Sequence, residues 1–392
     1  DFDYYPNSKH TIKMGINATY HYFRPNAIVI QSNDPGNADI QLNSKTHIDT
    51  YETAVYAEDD FKISDKWRTN IGFRFSNFNV RSKSYFNPEP RVSLKYAIKK
   101  DLSVKASYAT MNQYIHLLSN SGMGLPSDLW VPATDRVKPQ QSHQVALGLA
   151  KDLKIKEAAF QVSAEGYYKR SKNIIGYKEG SSFLSTSNVD LDGGYKFSYE
   201  DIVTSGKAES YGAELFLQKK TGDFTGWIGY TLSWTWLLFD DINFGKRFPA
   251  RYDRRHDISL VGTYKINDKI TLSAVWVYGT GNAITLPLST YQLPDKPSPF
   301  YQNGIFSNST IEDYGEKNSF RMAAYHRFDI AVQFHKQRKR YERIFELGVY
   351  NAYNRKNPFY YTTATDPDTN TTKLIQISLF PIIPSVSWTF KF

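Results

Sequence analysis

Pro384-Ser385-Val386-Ser387-Trp388-Thr389-Phe390-Lys391-Phe392 closes the chain, and its alternation decides how the rest is read. Successive side chains of an extended strand point to opposite faces. Val386, Trp388, Phe390 and Phe392 therefore share one face, while Ser385, Ser387, Thr389 and Lys391 share the other. An oily face, a wet face and a terminal aromatic suit the closing strand of an outer-membrane β-barrel. A soluble sandwich can carry the same alternation, so the other strands must decide.

Aromatic residues make up 16% of the 392-residue chain, 29 Tyr and 25 Phe among them, which is more than a core needs. Aromatic girdles at two membrane interfaces would absorb that excess. Mean hydropathy is −0.52, and no stretch reaches the roughly 18 apolar residues of a spanning helix. Alternating strands escape such a measure, because half of their residues face water. With no cysteine, disulfides, thiolate metal sites and cysteine nucleophiles are excluded. Asp1-Phe2-Asp3-Tyr4-Tyr5-Pro6 has neither the basic nor the apolar region of a signal peptide, so the chain reads as mature or truncated. The formal charge of +9 is spread through strands and turns instead of gathered in a stripe, which argues against nucleic-acid binding.

Working back from the C-terminus, thirteen further runs alternate in the same way. They are 11–22, 51–63, 68–78, 91–98, 102–108, 144–153, 158–170, 210–219, 226–236, 258–266, 270–279, 326–335 and 344–353. Ile71, Phe73 and Phe75 oppose Arg68, Asn70 and Arg74; Ile228, Tyr230, Leu232, Trp234 and Trp236 form another apolar row. Asp59 falls on the apolar row of its run, an irregularity of register. Glu52, Glu58, Asp60, Arg68, Arg74, Arg91, Lys95, Glu165, Lys169 and Glu214 take the polar parity, which places them toward a lumen.

The expected architecture is all-β, with fourteen antiparallel strands over residues 1–392. Tight turns such as Lys99-Lys100-Asp101, Thr221-Gly222-Asp223 and Asn267-Asp268-Lys269 occupy one end. Longer connections occupy the other, from a modest one at Tyr85-Phe86-Asn87-Pro88 to about 280–322. That asymmetry belongs to outer-membrane barrels. Backbone groups in hydrocarbon must all be paired, so a spanning sheet has to close. Fourteen strands either close alone as a passive channel or form the back part of a larger barrel.

No enzyme site emerges. The eight histidines show no metal-binding spacing, and no Ser/His/acid constellation lies at a strand end. Neither a catalytic residue, a metal site nor a cofactor is expected. The long loops hold Trp130, Phe183, Tyr195, Phe197, Tyr199, Phe239, Phe244, Phe248, Tyr291, Phe300 and Tyr301. Aromatic side chains there suit either a solute-capturing mouth or packing of loop on loop. Arg251, Arg254, Arg255 and Asp257, with Asp240 and Asp241 nearby, form the densest charged group at a loop end. It suits an anionic ligand or a plug, or simply lumenal charge satisfied by neighbouring strands. Trp130, Phe183, Tyr195, Tyr199, Phe244, Arg251, Tyr291 and Tyr301 are the ligand-binding candidates; Val386, Trp388, Phe390 and Phe392 mark the barrel-closing strand.

Four short motifs carry a resemblance. Tyr350-Asn351-Ala352-Tyr353-Asn354-Arg355-Lys356-Asn357-Pro358-Phe359 resembles the penultimate-strand motif of TonB-dependent outer-membrane receptors. Leu379-Phe380-Pro381-Ile382-Ile383-Pro384 and the closing strand are similar to the end of such receptors from Bacteroidetes-type bacteria. Tyr211-Gly212-Ala213-Glu214-Leu215 and Arg321-Met322-Ala323-Ala324-Tyr325-His326-Arg327-Phe328-Asp329 resemble a mid-barrel and a late strand. The resemblance implies the last fourteen strands of a barrel of about twenty-two, without its N-terminal plug. It implies uptake of a scarce nutrient (iron chelate, haem, cobalamin, oligosaccharide or peptide) captured at the extracellular loops. The implied partners are outer-membrane lipid, the TonB complex acting through the plug, and a surface lipoprotein lid.

Overall fold

The computed structural model describes residues 1–24, 27–30, 40–43, 47–120, 122–123, 128–181, 198–292, 310–365, 368 and 371–392. Its body is a sixteen-stranded antiparallel sheet, in which fifteen strands pair one after another along the chain. These are β1 (Phe2–Asn7), β2 (His10–Phe23), β3 (Ile48–Lys62), β4 (Trp67–Val80), β5 (Lys83–Lys99), β6 (Leu102–Gln113), β7 (Gln140–Ile155) and β8 (Ala158–Tyr177). They continue as β9 (Val203–Lys219), β10 (Phe224–Leu238), β11 (His256–Asn267), β12 (Ile270–Gly279), β13 (Tyr325–Gln337), β14 (Glu342–Tyr350) and β15 (Ile383–Lys391). The sixteenth, Phe248–Pro249, pairs with the end of β10. No helix among the described residues is long and apolar enough to cross a membrane.

All fourteen expected strands are present in the expected order, and β1 is an addition. Pro6 and three clustered aromatics hid its period, and proline is tolerated because the register with β2 shifts between Tyr4 and Asn7. The modest connection expected at Tyr85–Pro88 is instead strand. β5 continues through Pro88 and Pro90 to a two-residue turn at Arg81-Ser82, where Arg81 takes a φ of 51°. Pairing of β5 with β6 stops at Arg91↔Ala109, so neither proline is asked for a hydrogen bond on that side. β8 likewise runs beyond Arg170 to Tyr177. The register shifts at Asn173, which has a φ of 58°, and the bulge interrupts the alternation a reader of the sequence relies on.

The cross-strand register turns the alternation into two continuous surfaces. Tyr96, Val104, Leu149, Ala164, Leu215, Tyr230, Ile258 and Tyr278 lie side by side across eight strands. The adjacent row on the opposite face reads Lys95, Lys105, Gly148, Glu165, Glu214, Thr231, Asp257 and Gly279. On the apolar face Ile16 is 78% exposed, Leu147 62% and Val386 68%. A water-soluble body does not leave so wide an apolar surface open, so this face meets lipid. Asp59 is accommodated on it by His10, whose Nδ1 lies 2.6 Å from the carboxylate near the turn end.

The aromatic belt on the loop side is built partly from Tyr–His pairs. Tyr108 with His143 and Tyr230 with His256 are each hydrogen-bonded at 2.9 Å, and His326 with Tyr353 at 2.7 Å. On the polar face Arg74 lies 3.8 Å from both Glu52 and Glu89. The path ends at β1 on one side and β15 on the other, and every residue of both strands is exposed. Val386, Trp388 and Phe390 project from β15 on the apolar side, in register with Leu347, Phe345 and Arg343 of β14.

Candidate functional site

The clusters of buried apolar residues are not sandwiched between sheets; they gather at the loop end. The largest cluster joins Ile48 at the start of β3, Phe78 and Val80 at the end of β4, and Val203 at the start of β9. The remaining members come from the β6–β7 connection (Tyr114, Leu118, Val131, Ala133, Val137) and from Tyr199. That connection folds as a hairpin of Ile115–Ser119 against Asp128–Pro132. Phe78 stacks on Tyr114 with ring centres 4.7 Å apart.

A one-turn helix, Tyr199–Ile202, is capped by Ser198, and Asp201 completes the reciprocal bond. Its Glu200 carboxylate is almost fully buried and is gripped by Arg81 at 3.0 Å and Arg136 at 3.5 Å. Arg136 also reaches Asp201 at 2.6 Å and holds that carboxyl below the usual range. Breaking one side of a buried ion pair is costly, because it strands the other charge. The β4–β5 turn, the β6–β7 connection and the β8–β9 connection are thereby clasped together. No local sequence motif signals the clasp, since its members lie 55 to 119 positions apart in Arg81, Arg136 and Glu200.

Tyr199 was a candidate for solute contact, and the structure corrects that reading. It is 1% exposed, its hydroxyl donates to the Pro132 carbonyl at 2.7 Å, and burial pushes its phenol up. Arg251 is also largely committed. It donates to the Asn120 carbonyl and lies 3.9 Å from Asp128, which accepts from Tyr252 at 2.9 Å. The neighbouring charges are structural too. Buried Asp253 accepts from the Thr235 N–H at 2.6 Å, from Arg255 at 3.3 Å and from Arg321, while Arg254 meets Asp257 at 3.6 Å. Asp253, the centre of this group, drew no attention in the sequence because its partners come from three separate segments.

Three candidates stand in the open. Trp130 is 56% exposed on the β6–β7 hairpin, Tyr291 is 57% exposed on the Pro287–Gln292 strand of the β12–β13 connection, and Phe244 is 99% exposed. Trp130 borders a cleft of about 680 Å³ with Tyr20, His21, Glu52 and Asn112. Phe244 and Arg251 line a different cavity, of about 840 Å³, between the connections β6–β7, β8–β9, β10–β11 and β12–β13. Phe183, Tyr195, Phe197, Phe300 and Tyr301 lie outside the described residues.

An apolar, aromatic-belted outer face, an ion-rich inner face and clasped loops at one end define the wall and mouth of a transmembrane β-barrel. The model of the TonB-dependent receptor-like β-barrel family matches residues 1–352, and the chain belongs to that family. It is an outer-membrane protein of a family of receptors and transporters. Among solved structures it is similar to the ferric-catecholate import receptor Fiu of E. coli K12 (TM-score 0.55, 16% identity, 99% of this chain and 52% of that one). The FrpB iron transporter of Neisseria meningitidis gives 0.55, 14%, 99% and 52%, and the pyoverdine receptor FpvA of Pseudomonas aeruginosa PAO1, bound to pyoverdine, 0.57, 14%, 99% and 51%. The chain thus spans about half the length of these relatives, and at such identities the likeness establishes fold alone. No curated protein matches the sequence.

Proposed function

We propose that this chain forms the loop-bearing part of the wall of a TonB-dependent importer. Its extracellular connections capture a scarce solute, and a plug coupled to the TonB complex admits it. A surface lipoprotein over the mouth belongs to the same reading. The observation that carries the proposal is the segregation of order: buried, ion-clasped structure at the loop end, tight turns at the other, and a lipid face between. A self-contained passive channel is the alternative. Membership of the TonB-dependent receptor-like β-barrel family favours the importer. The structural relatives are named for a ferric catecholate, for iron and for pyoverdine.

The test uses the whole receptor in two settings. Reconstituted in liposomes, it should not pass small sugars, and in cells its uptake should stop when the proton-motive force is collapsed. Free passage in liposomes, or uptake indifferent to an uncoupler, would make it a channel.

A further inference from the structure

The cavity between the loops carries a feature that loop packing does not need. Asn243, Phe244 and Gly245 have φ of 54°, 55° and 69°, so two consecutive non-glycine residues adopt the left-handed region. An aromatic residue rarely does so, and the conformation persists only where surroundings impose it. Here they do. Asn243 is 6% exposed, and its N–H donates to Glu179 of the β8–β9 connection at 3.0 Å. Its Oδ1 accepts from the Lys317 N–H of the β12–β13 connection at 2.9 Å, and its Nδ2 donates to the Lys246 carbonyl at 3.3 Å. Three bonds from three directions fix the residue, and the next side chain is thrown out over the cavity. Phe244 touches so little that it is 99% exposed, although Phe239 and Phe248 beside it are buried. Folding alone gains nothing from holding a phenyl ring in this way.

The chemistry around the ring indicates what it would meet. Among the described residues the cavity is lined by three acids, Glu179, Asp240 and Asp241, and three bases, Lys178, Arg251 and Lys317. Each base already has an acceptor: the Asp201 carbonyl at 2.8 Å for Lys178, Glu179 at 3.6 Å for Lys317, and the Asn120 carbonyl for Arg251. Asp240 has no ion pair or hydrogen bond among the described residues, and Asp241 accepts only from the Thr204 hydroxyl at 3.1 Å. Among the described residues Lys178 and Arg251 are held in place by backbone carbonyls, and the acceptor capacity left open is that of Asp240 and Asp241, which suits a ligand rich in hydroxyl donors. A balanced charge likewise offers no field to draw in a polycation.

We propose that Phe244 is a pre-set stacking platform for a neutral polyhydroxylated ligand. A sugar ring would lay its C–H face on the phenyl and donate vicinal hydroxyls to Asp240 and Asp241. Asn243 is the positioning residue that holds the platform. This rests on the importer reading and names the solute class of its mouth.

The experiment uses the purified whole receptor in detergent, with maltohexaose, cellohexaose and an iron(III) tris-catecholate as probes in calorimetric titrations. One hexasaccharide is expected to bind, with affinity reduced about tenfold in Phe244→Ala. Phe244→Trp should retain it, Asn243→Ala should lose most of it, and heat-modifiable migration on gels reports whether each variant is folded. Absence of binding by both saccharides, equal binding by folded Phe244→Ala, or Phe244-dependent binding of the iron complex instead would overturn the proposal. Energy-dependent uptake persisting alongside any of those results would leave the importer reading intact.

Discussion

Two substitutions at neighbouring positions separate a lipid-facing wall from any other reading of the sheet. Leu215 of β9 lies on the apolar face between Ala164 of β8 and Tyr230 of β10, and is 52% exposed. Four residues toward the loops, Tyr211 stacks on Trp234; four toward the turn stands Lys219. At about 3.4 Å per residue each interval is about 14 Å along the strand, or about 10 Å of depth at a tilt of about 40°. Leu215 is therefore near the middle of an apolar band about 25 Å tall, where arginine costs about 2–4 kcal/mol. Glu214 points to the opposite face, directly across from Glu165, and neither carboxylate has a hydrogen bond or ion pair among the described residues. Glu214→Arg turns a like-charge pair into an opposite one, a gain of up to about 1 kcal/mol. The same new residue should thus destabilise at 215 and be neutral or favourable at 214. Urea unfolding of the whole receptor in lipid bilayers, followed by tryptophan fluorescence, measures both. If Leu215→Arg matched the parent, the face would be meeting water, and the barrel assignment would fall.

Two further outcomes follow from the loop end. His116 is buried in the loop core, and that burial pushes its imidazole down to about 4 from 6.5. Because the folded value lies below the free one, its stability contribution is whole above pH 6.5 and is lost as pH falls toward 4. Lowering pH from 7.5 to 5.5 should weaken the hairpin by about 1 kcal/mol, seen as faster proteolysis within it, and His116→Phe should remove that dependence. Asn351 is fully buried, with a φ of 53°; its side chain donates to the Arg355 and Phe380 carbonyls and accepts from the Arg355 N–H. Asn351→Ala should cost about 2–3 kcal/mol in urea unfolding, loosening the link between the end of β14 and the approach to β15. An effect below about 0.5 kcal/mol would show that the motif is not held by this residue.

The wall was legible because its physics is local and periodic. Lipid on one side and water on the other impose a period of two on every strand, so the parity of Val386, Leu215 or Ile71 could be read without knowing any partner. Even the misfit at Asp59 was visible; only its answer, His10, required the register. Where the period is interrupted, reading failed: Pro6 concealed β1, Pro88 and Pro90 mimicked a loop, and the bulge at Asn173 cut β8 short. The mouth obeys no such period. Tyr199 looks like any loop aromatic until the helix and hairpin that bury it are assembled, and Phe244 looks no different from Phe239 or Phe248. Tertiary structure decided which ring is core and which is offered to solvent, because Glu179, Asn243 and Lys317 meet only once three separate connections have been brought together above the sheet.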